Sequence, residues 1–146
     1  MLRLPTKGRY ATRIMVYLAR GQESPPVTKQ EIADAEEISP DYVEQILTKL
    51  KAAGLVRSHR GAKGGFSLAR DAGAITVADV LQAAEGPFSF APCLSDSCRR
   101  AARCVTRPLW RRADEALRKI FSETTIGEMA EEARKMLLEG ALTFEI

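Results

Sequence analysis

All three cysteines of this 146-residue chain fall in one stretch, CLSDSCRRAARC, at Cys93, Cys98 and Cys104. Arg99, Arg100 and Arg103 stand among them, and nearby cations favour the thiolate, the form that binds metals and takes part in exchange chemistry. Three thiols cannot all pair within one chain, and a reducing cytosol disfavours stable disulfides. Metal ligation or redox chemistry is therefore what this stretch offers. An iron-sulfur cluster takes Cys thiolates as ligands, and gaps of four and then five residues suit a bulky centre on a loop. Structural zinc usually shows tighter Cys pairs with a fourth Cys or His nearby.

The rest of the chain must position that loop. At 146 residues and 45% hydrophobic content it is long enough for one substantial core. Residues 1–70 hold twelve Lys/Arg against seven Asp/Glu, a local charge of 12 − 7 = +5, whereas the remainder holds ten against twelve, or −2. A basic N-terminal half suits a polyanion, although a plain solvated surface would show the same balance. No apolar run approaches a membrane span, and MLRLPTKGRY carries charges where a signal peptide needs apolar residues. A cytoplasmic protein without a membrane partner is expected.

Apolar residues at Ile14, Tyr17 and Leu18 follow Tyr10 at helical spacing, and Gly21 with SPP ends that helix. Thr28 followed by Glu31 forms both halves of a capping box, opening a short helix to about Glu37. Ser39 as N-cap and Pro40 at the first helical position open the next. Its stripe is Val43, Ile46, Leu47 and Leu50, with Gly54 closing it and Asp41, Tyr42, Glu44, Gln45, Thr48 and Lys49 facing outward. LVRSH and FSLAR then read as strands around RGAKGG, whose glycines permit a tight, cationic hairpin.

Two short helices and a basic hairpin form the pattern of a winged helix-turn-helix. The second helix can enter a major groove, and the hairpin can reach phosphates or the neighbouring minor groove. A helix pair of purely structural role is the plainer alternative. Thr76 caps a further helix over VADVLQAAEG, ended by Gly86 and Pro87. Pro108 opens PLWRRADEALRKIF, where Trp110, Ala113, Leu117 and Ile120 recur like a coiled-coil seam. Asp114 with Arg118, and Glu115 with Lys119, stand four apart on its flank. Such a stripe often merely faces a core; because the preceding domain looks complete without it, it is read as a homodimer helix. A tail helix near TIGEMAEEARKMLLEG has no legible role, and its excess of Glu argues against a lipid surface.

The expected fold is mainly α with a small β-hairpin wing. Residues 1–87 form the winged helix-turn-helix, 88–107 the Cys-rich loop, and 108–146 the dimerisation helix and tail. TKGRYATRIMVYLA, ISPDYVEQILTKLKAAGLV, RGAKGGFSLAR, ITVADVLQAAEGP, the three cysteines and the Trp110 helix, in that order, resemble the Rrf-two family of bacterial regulators. The resemblance covers nearly the whole chain. It implies a homodimeric transcription regulator, repressor or activator, that binds a palindromic double-stranded operator and often holds an iron-sulfur cluster. It puts Thr28, Ser39, Asp41, Tyr42, Glu44 and Gln45 at helix-turn-helix positions, Arg60, Ala62, Lys63 and Gly64 in the wing, and Lys7 and Arg9 near the DNA backbone. Cys93, Cys98 and Cys104 match the cluster ligands, with 2Fe-2S and 4Fe-4S both open.

One departure stands out. IscR-like members carry a histidine three residues after the third Cys, where this chain has Arg107; its sole histidine, His59, lies in the wing and is read as a surface or DNA-side residue. NsrR-like members can borrow an acidic ligand from the partner's N-terminal helix, but residues 1–22 contain no Asp or Glu. Asp96, a small thiol or solvent are the remaining candidates for a fourth ligand. A CymR-like regulator without a cluster, governed by a protein partner, thiol redox or zinc, is the alternative. A thiol- or zinc-dependent enzyme is disfavoured, since the chain has no Cys–His pair, metalloprotease motif or phosphate loop.

Overall fold

The computed structural model describes residues 3–21, 26–94 and 98–143, with side chains to residue 140. Within them lie six helices and one antiparallel hairpin: α1 (Thr6–Arg20), α2 (Lys29–Glu36), α3 (Pro40–Ala52), β1 (Val56–His59), β2 (Gly65–Leu68), α4 (Val77–Glu85), α5 (Arg107–Glu123) and α6 (Ile126–Thr143). The fold is mainly helical with a small wing, as expected.

Helix α1 begins four residues before Tyr10 because its first turn is satisfied from outside. No side chain of its own caps it, but Glu85, at the end of α4, accepts the Gly8 N–H at 2.7 Å. A side chain at Gly8 would crowd that contact, since a Cβ there would lie 2.9 Å from Leu81 Cδ2. The α1 stripe is Ala11, Ile14, Met15 and Leu18, while Tyr10 and Tyr17 lie at the edge of the core with Arg13 and Arg20 over their rings.

The capping box at Thr28 and Glu31 forms as expected, and Glu37, in the left-handed region at φ 55°, turns the chain into α3. Ser39 Oγ accepts the Tyr42 N–H, Pro40 occupies the first turn, and Val43, Ile46, Leu47 and Leu50 are all buried. Thr76 and Asp79 cap α4 reciprocally.

The wing pairs Val56 with Leu68 and His59 with Gly65. Val27 adds one more rung on the other edge of β2, donating to Phe66 O at 2.9 Å and accepting from Phe66 N–H at 2.7 Å. That approach demands glycine: Gly65 has φ 154°, and a Cβ there would lie 2.5 Å from Val27 O.

The tail helix belongs to the core. Ile126 and Ala130 are buried with the α1 and α3 residues, and the Ile126 N–H donates to Ile75 O at 2.8 Å. Arg134 donates to Ala19 O, satisfying a carbonyl in the last turn of α1. On α5, Lys119 lies 3.9 Å from Glu123 and not with Glu115, so the second expected flank pair is replaced by its neighbour one turn on. Among the described residues no helix is long and apolar enough to cross a membrane.

Candidate nucleic-acid interface and cysteine site

The exposed side of the helix-turn-helix and wing carries the residues singled out for DNA. Thr28, Ser39, Asp41, Glu44, Gln45, Arg60, Ala62 and Lys63 are exposed; Tyr42 and Gly64 are half-buried. Tyr42 packs edge-on against Tyr10, with ring centroids 5.9 Å apart. At the start of α1, Arg9 is exposed and Lys7 half-buried, just beside the turn held by Glu85. His59 is exposed on the wing, its Nε2 2.7 Å from Ser67 Oγ.

These elements are tied together by polar contacts. Arg13 on α1 pairs with Glu36 on α2 at 2.6 Å, and Lys29 on α2 pairs with Glu44 on α3 at 2.6 Å. Lys51 donates to Ser58 Oγ in the wing, and Lys49 donates to Ala84 O in the last turn of α4. That last turn is bonded to both α3, through Lys49, and α1, through Glu85.

From Gly86 the chain runs directly into the arm that carries Cys93, and α5 clamps this arm. Asp114 Oδ1 accepts the Phe90 N–H at 2.7 Å, while Oδ2 accepts from Arg118 Nε at 2.5 Å. Arg118 also donates to Phe88 O and lies over the Phe88 ring. Phe88 meets Phe121 edge-on, and Phe90 stacks on Trp110 at 6.1 Å. Asp114 is the buried charged residue of the described chain, 9% exposed, whereas its spacing from Arg118 had suggested only a surface pair. Burial pushes its carboxyl up, but the hydrogen bonds from Arg118 and the Phe90 N–H outweigh that and hold it below the usual value.

Cys93, Cys98 and Cys104 are free, half-buried thiols. Hydrogen bonding from Thr106, through its hydroxyl and then its N–H, lowers the Cys104 thiol from its usual value against a smaller effect of burial, with help from the Arg107 N–H and the Arg100 charge. Arg107 itself donates from Nη2 to Leu94 O at 3.3 Å, so it bridges the arms bearing Cys93 and Cys104. Its Nε is buried with no hydrogen-bond partner among the described residues. A buried, unpartnered cationic donor on the residue that bridges the Cys93 and Cys104 arms suits a negatively charged thiolate centre. The three thiols are not yet gathered, however, for among the described residues no three of His, Cys, Asp and Glu come together as a metal site. Asp96 lies outside the described residues.

The α5 stripe is partly open: Ala113 and Leu117 are half-buried, Ile120 is 56% exposed, and Leu109 beside it 54%. Trp110 is engaged by Phe90, so the cysteine arm and the expected seam share a residue. Between α1 and α6 lies an open cavity of about 690 Å³, lined by Tyr10, Tyr17, Met129 and Met136 among others.

The Rrf2 (Rrf-two) family model, described as an iron-dependent transcriptional regulator, matches residues 4–132. This chain belongs to the Rrf2 family. Among curated Rrf2 relatives, IscR of Klebsiella pneumoniae, an HTH-type transcriptional regulator, is 36% identical over 129 residues, 88% of this chain and 79% of its own length. Among solved structures, CymR of B. subtilis, described as its global cysteine regulator, is 37% identical with a TM-score of 0.78 over 90% of this chain and 98% of that one. IscR of T. potens is 32% identical with a TM-score of 0.76 over 90% and 88%. This Rrf2 protein is accordingly a DNA-binding transcription regulator of winged-helix fold, and its relatives bear the names of regulators and not of enzymes.

Three features of the site escaped the sequence reading. Glu85 as the external cap of α1 and Asp114 as the acceptor for the cysteine arm act across 77 and 24 residues, and only a helix-terminal position hinted at the former. The orphaned Nε of Arg107 has a signal, its place three residues after the last Cys, which by sequence alone marks only the absence of a histidine ligand.

Proposed function

We propose that this protein is a cytoplasmic, homodimeric regulator whose operator affinity depends on an iron-sulfur cluster held by Cys93, Cys98 and Cys104. The observation that carries the reading is the bridge made by Arg107, which joins the arms of Cys93 and Cys104 and leaves its Nε buried as a cationic donor without a partner. The cluster would supply the chemical sensitivity, to iron supply, redox state or nitric oxide. The chain's own residues carry the response: Asp114, Arg118 and Trp110 hold the Cys93 arm on α5, and that arm continues from the α4 turn bonded to α1 and α3.

Toward DNA, α3 presents Asp41, Tyr42, Glu44 and Gln45 to base edges from Ser39 onward, with Thr28 at the mouth of the motif. Arg60, Ala62, Lys63 and Gly64 in the wing and Lys7 and Arg9 on α1 meet the backbone. The partly open stripe of Trp110, Ala113, Leu117 and Ile120 on α5 is the seam with the second copy, which sets the two recognition helices on the halves of a palindrome.

A second reading is favoured by one observation: the thiols are not gathered into a ligand set. In that case the protein works as a cluster-free regulator through thiol redox, zinc or a protein partner. Anaerobic purification followed by a visible spectrum and iron and sulfide assays decides between them. Iron and sulfide in equal amounts, with operator affinity that changes on cluster removal, support the first; zinc or no metal sinks it.

A further inference from the structure

Acidic residues on a helix that approaches DNA need an account. Asp41 and Glu44 stand three apart on α3, hence on one face, both exposed. A duplex carries one negative charge per about 1.7 Å of axis, so two bare carboxylates there oppose docking. A glutamate can nonetheless accept a hydrogen bond from the cytosine amino group in the major groove. It serves well only if its charge is offset and its rotamer fixed beforehand.

Lys29 meets both needs. Its Nζ donates to Glu44 Oε2 at 2.6 Å, which leaves Oε1 outside that bond. The hydrogen bond to Glu44 raises the Lys29 pKa, and the charges of Glu44 and Asp41 add to the effect. Lys29 is the first residue of α2, where the helix dipole disfavours a cation, so helix stability does not explain a lysine there. The capping box of Thr28 and Glu31, and the burial of Ile32 and Ala33, fix α2 against the core and so fix the backbone from which Lys29 reaches Glu44.

We infer that Lys29 is a specificity-determining residue, a positioning residue that acts on base preference by holding and neutralising Glu44. The inference rests on the proposed base-reading role of Glu44, and its test separates the two. A randomised duplex pool is selected with full-length wild type, Lys29→Met, Lys29→Arg, Glu44→Ala and the Lys29→Met/Glu44→Ala double variant. Affinities for the enriched duplexes are then measured as a function of salt. Lys29→Met should change relative affinity at one or two positions of each half-site by about fivefold or more, Lys29→Arg should keep the wild-type preference, and Lys29→Met should change nothing further once Glu44 is Ala.

A lysine that simply touches a phosphate behaves differently. Lys29→Met would then weaken every duplex by one common factor and lower the salt slope by about one, overturning the inference. The same preference shift in the Glu44→Ala background would also overturn it. Glu44→Ala leaving preference unchanged would remove the base-reading role of Glu44 first, and this inference with it.

Discussion

Replacing Asp114 by Ala tests whether the cysteine arm is built onto α5. The substitution removes the acceptor of the Phe90 N–H and the i,i+4 partner of Arg118. A partly buried N–H left without an acceptor costs about 1–3 kcal/mol. The lost pair adds only about 0.3–0.5 kcal/mol, because the Arg118 side chain is 54% exposed. A total of about 1.3–3.5 kcal/mol in a chain of this size lowers Tm by about 3–14 °C. Differential scanning calorimetry of the metal-free protein measures it, and limited chymotrypsin digestion should cut sooner at Phe88 or Phe90 once their rings lose the clamp. Asp114→Asn keeps an oxygen for the Phe90 N–H and should fall between. Because the folded carboxyl is held below its usual value, its contribution is present above the unfolded value of about 3.9 and fades as pH falls through the folded one. The gap between wild type and Asp114→Asn should therefore close only in strong acid. An Asp114→Ala protein melting within about 1 °C of wild type, against the shift expected for its size, with unchanged digestion, refutes the clamp.

Arg60→Ala and Lys63→Ala should each weaken binding to any duplex and reduce the salt slope by up to about 0.9, one phosphate's share of counterion release; unchanged slopes in both would exclude the wing from the backbone. Gly65→Ala puts a Cβ 2.5 Å from Val27 O; it should leave the helical circular dichroism intact while costing affinity on every sequence, and full affinity would show that the Val27 rung is dispensable. Leu117→Glu should place an unpaired charge in the seam and yield monomers with much weaker operator binding; an unchanged sedimentation mass counts against the α5 dimer. Cys104→Ala should abolish the brown chromophore of anaerobic protein while the chain stays folded; a retained iron and sulfide content would remove Cys104 from the ligand set.

Much of this architecture is legible because its signals are local. Thr28 with Glu31, Ser39 with Pro40 and Thr76 with Asp79 announce three helix starts within four residues each, and the Val43, Ile46, Leu47, Leu50 stripe is buried as spaced. What stayed hidden acts at long range. The tail helix reads as an amphipathic segment of no evident purpose until Ile126 enters the core and Arg134 reaches Ala19 across 115 residues. The choice between Glu115 and Glu123 as partner of Lys119 is open in sequence, since both stand four away on an exposed surface. At the cysteine segment the residue types announce thiolate chemistry, but their convergence depends on loop closure, which spacing alone does not encode.

The Val27 rung has a consequence for the DNA. Val27 lies just before α2 and is bonded on both sides to Phe66 near the turn end of β2, and Lys51 of α3 donates to Ser58 on β1, so the hairpin is stitched to both helices of the helix-turn-helix. On the proposed interface, the bases met by α3 and the stretch of duplex met by the wing would therefore be held at one fixed phase. One base pair inserted between them moves the wing's target by about 3.4 Å along the axis and about 35° around it, an offset that a rung two hydrogen bonds wide has no joint to absorb. Each proposed half-site would thus be read as a ruler as well as a sequence, its length set in part by Val27 and the Gly65 that lets it approach.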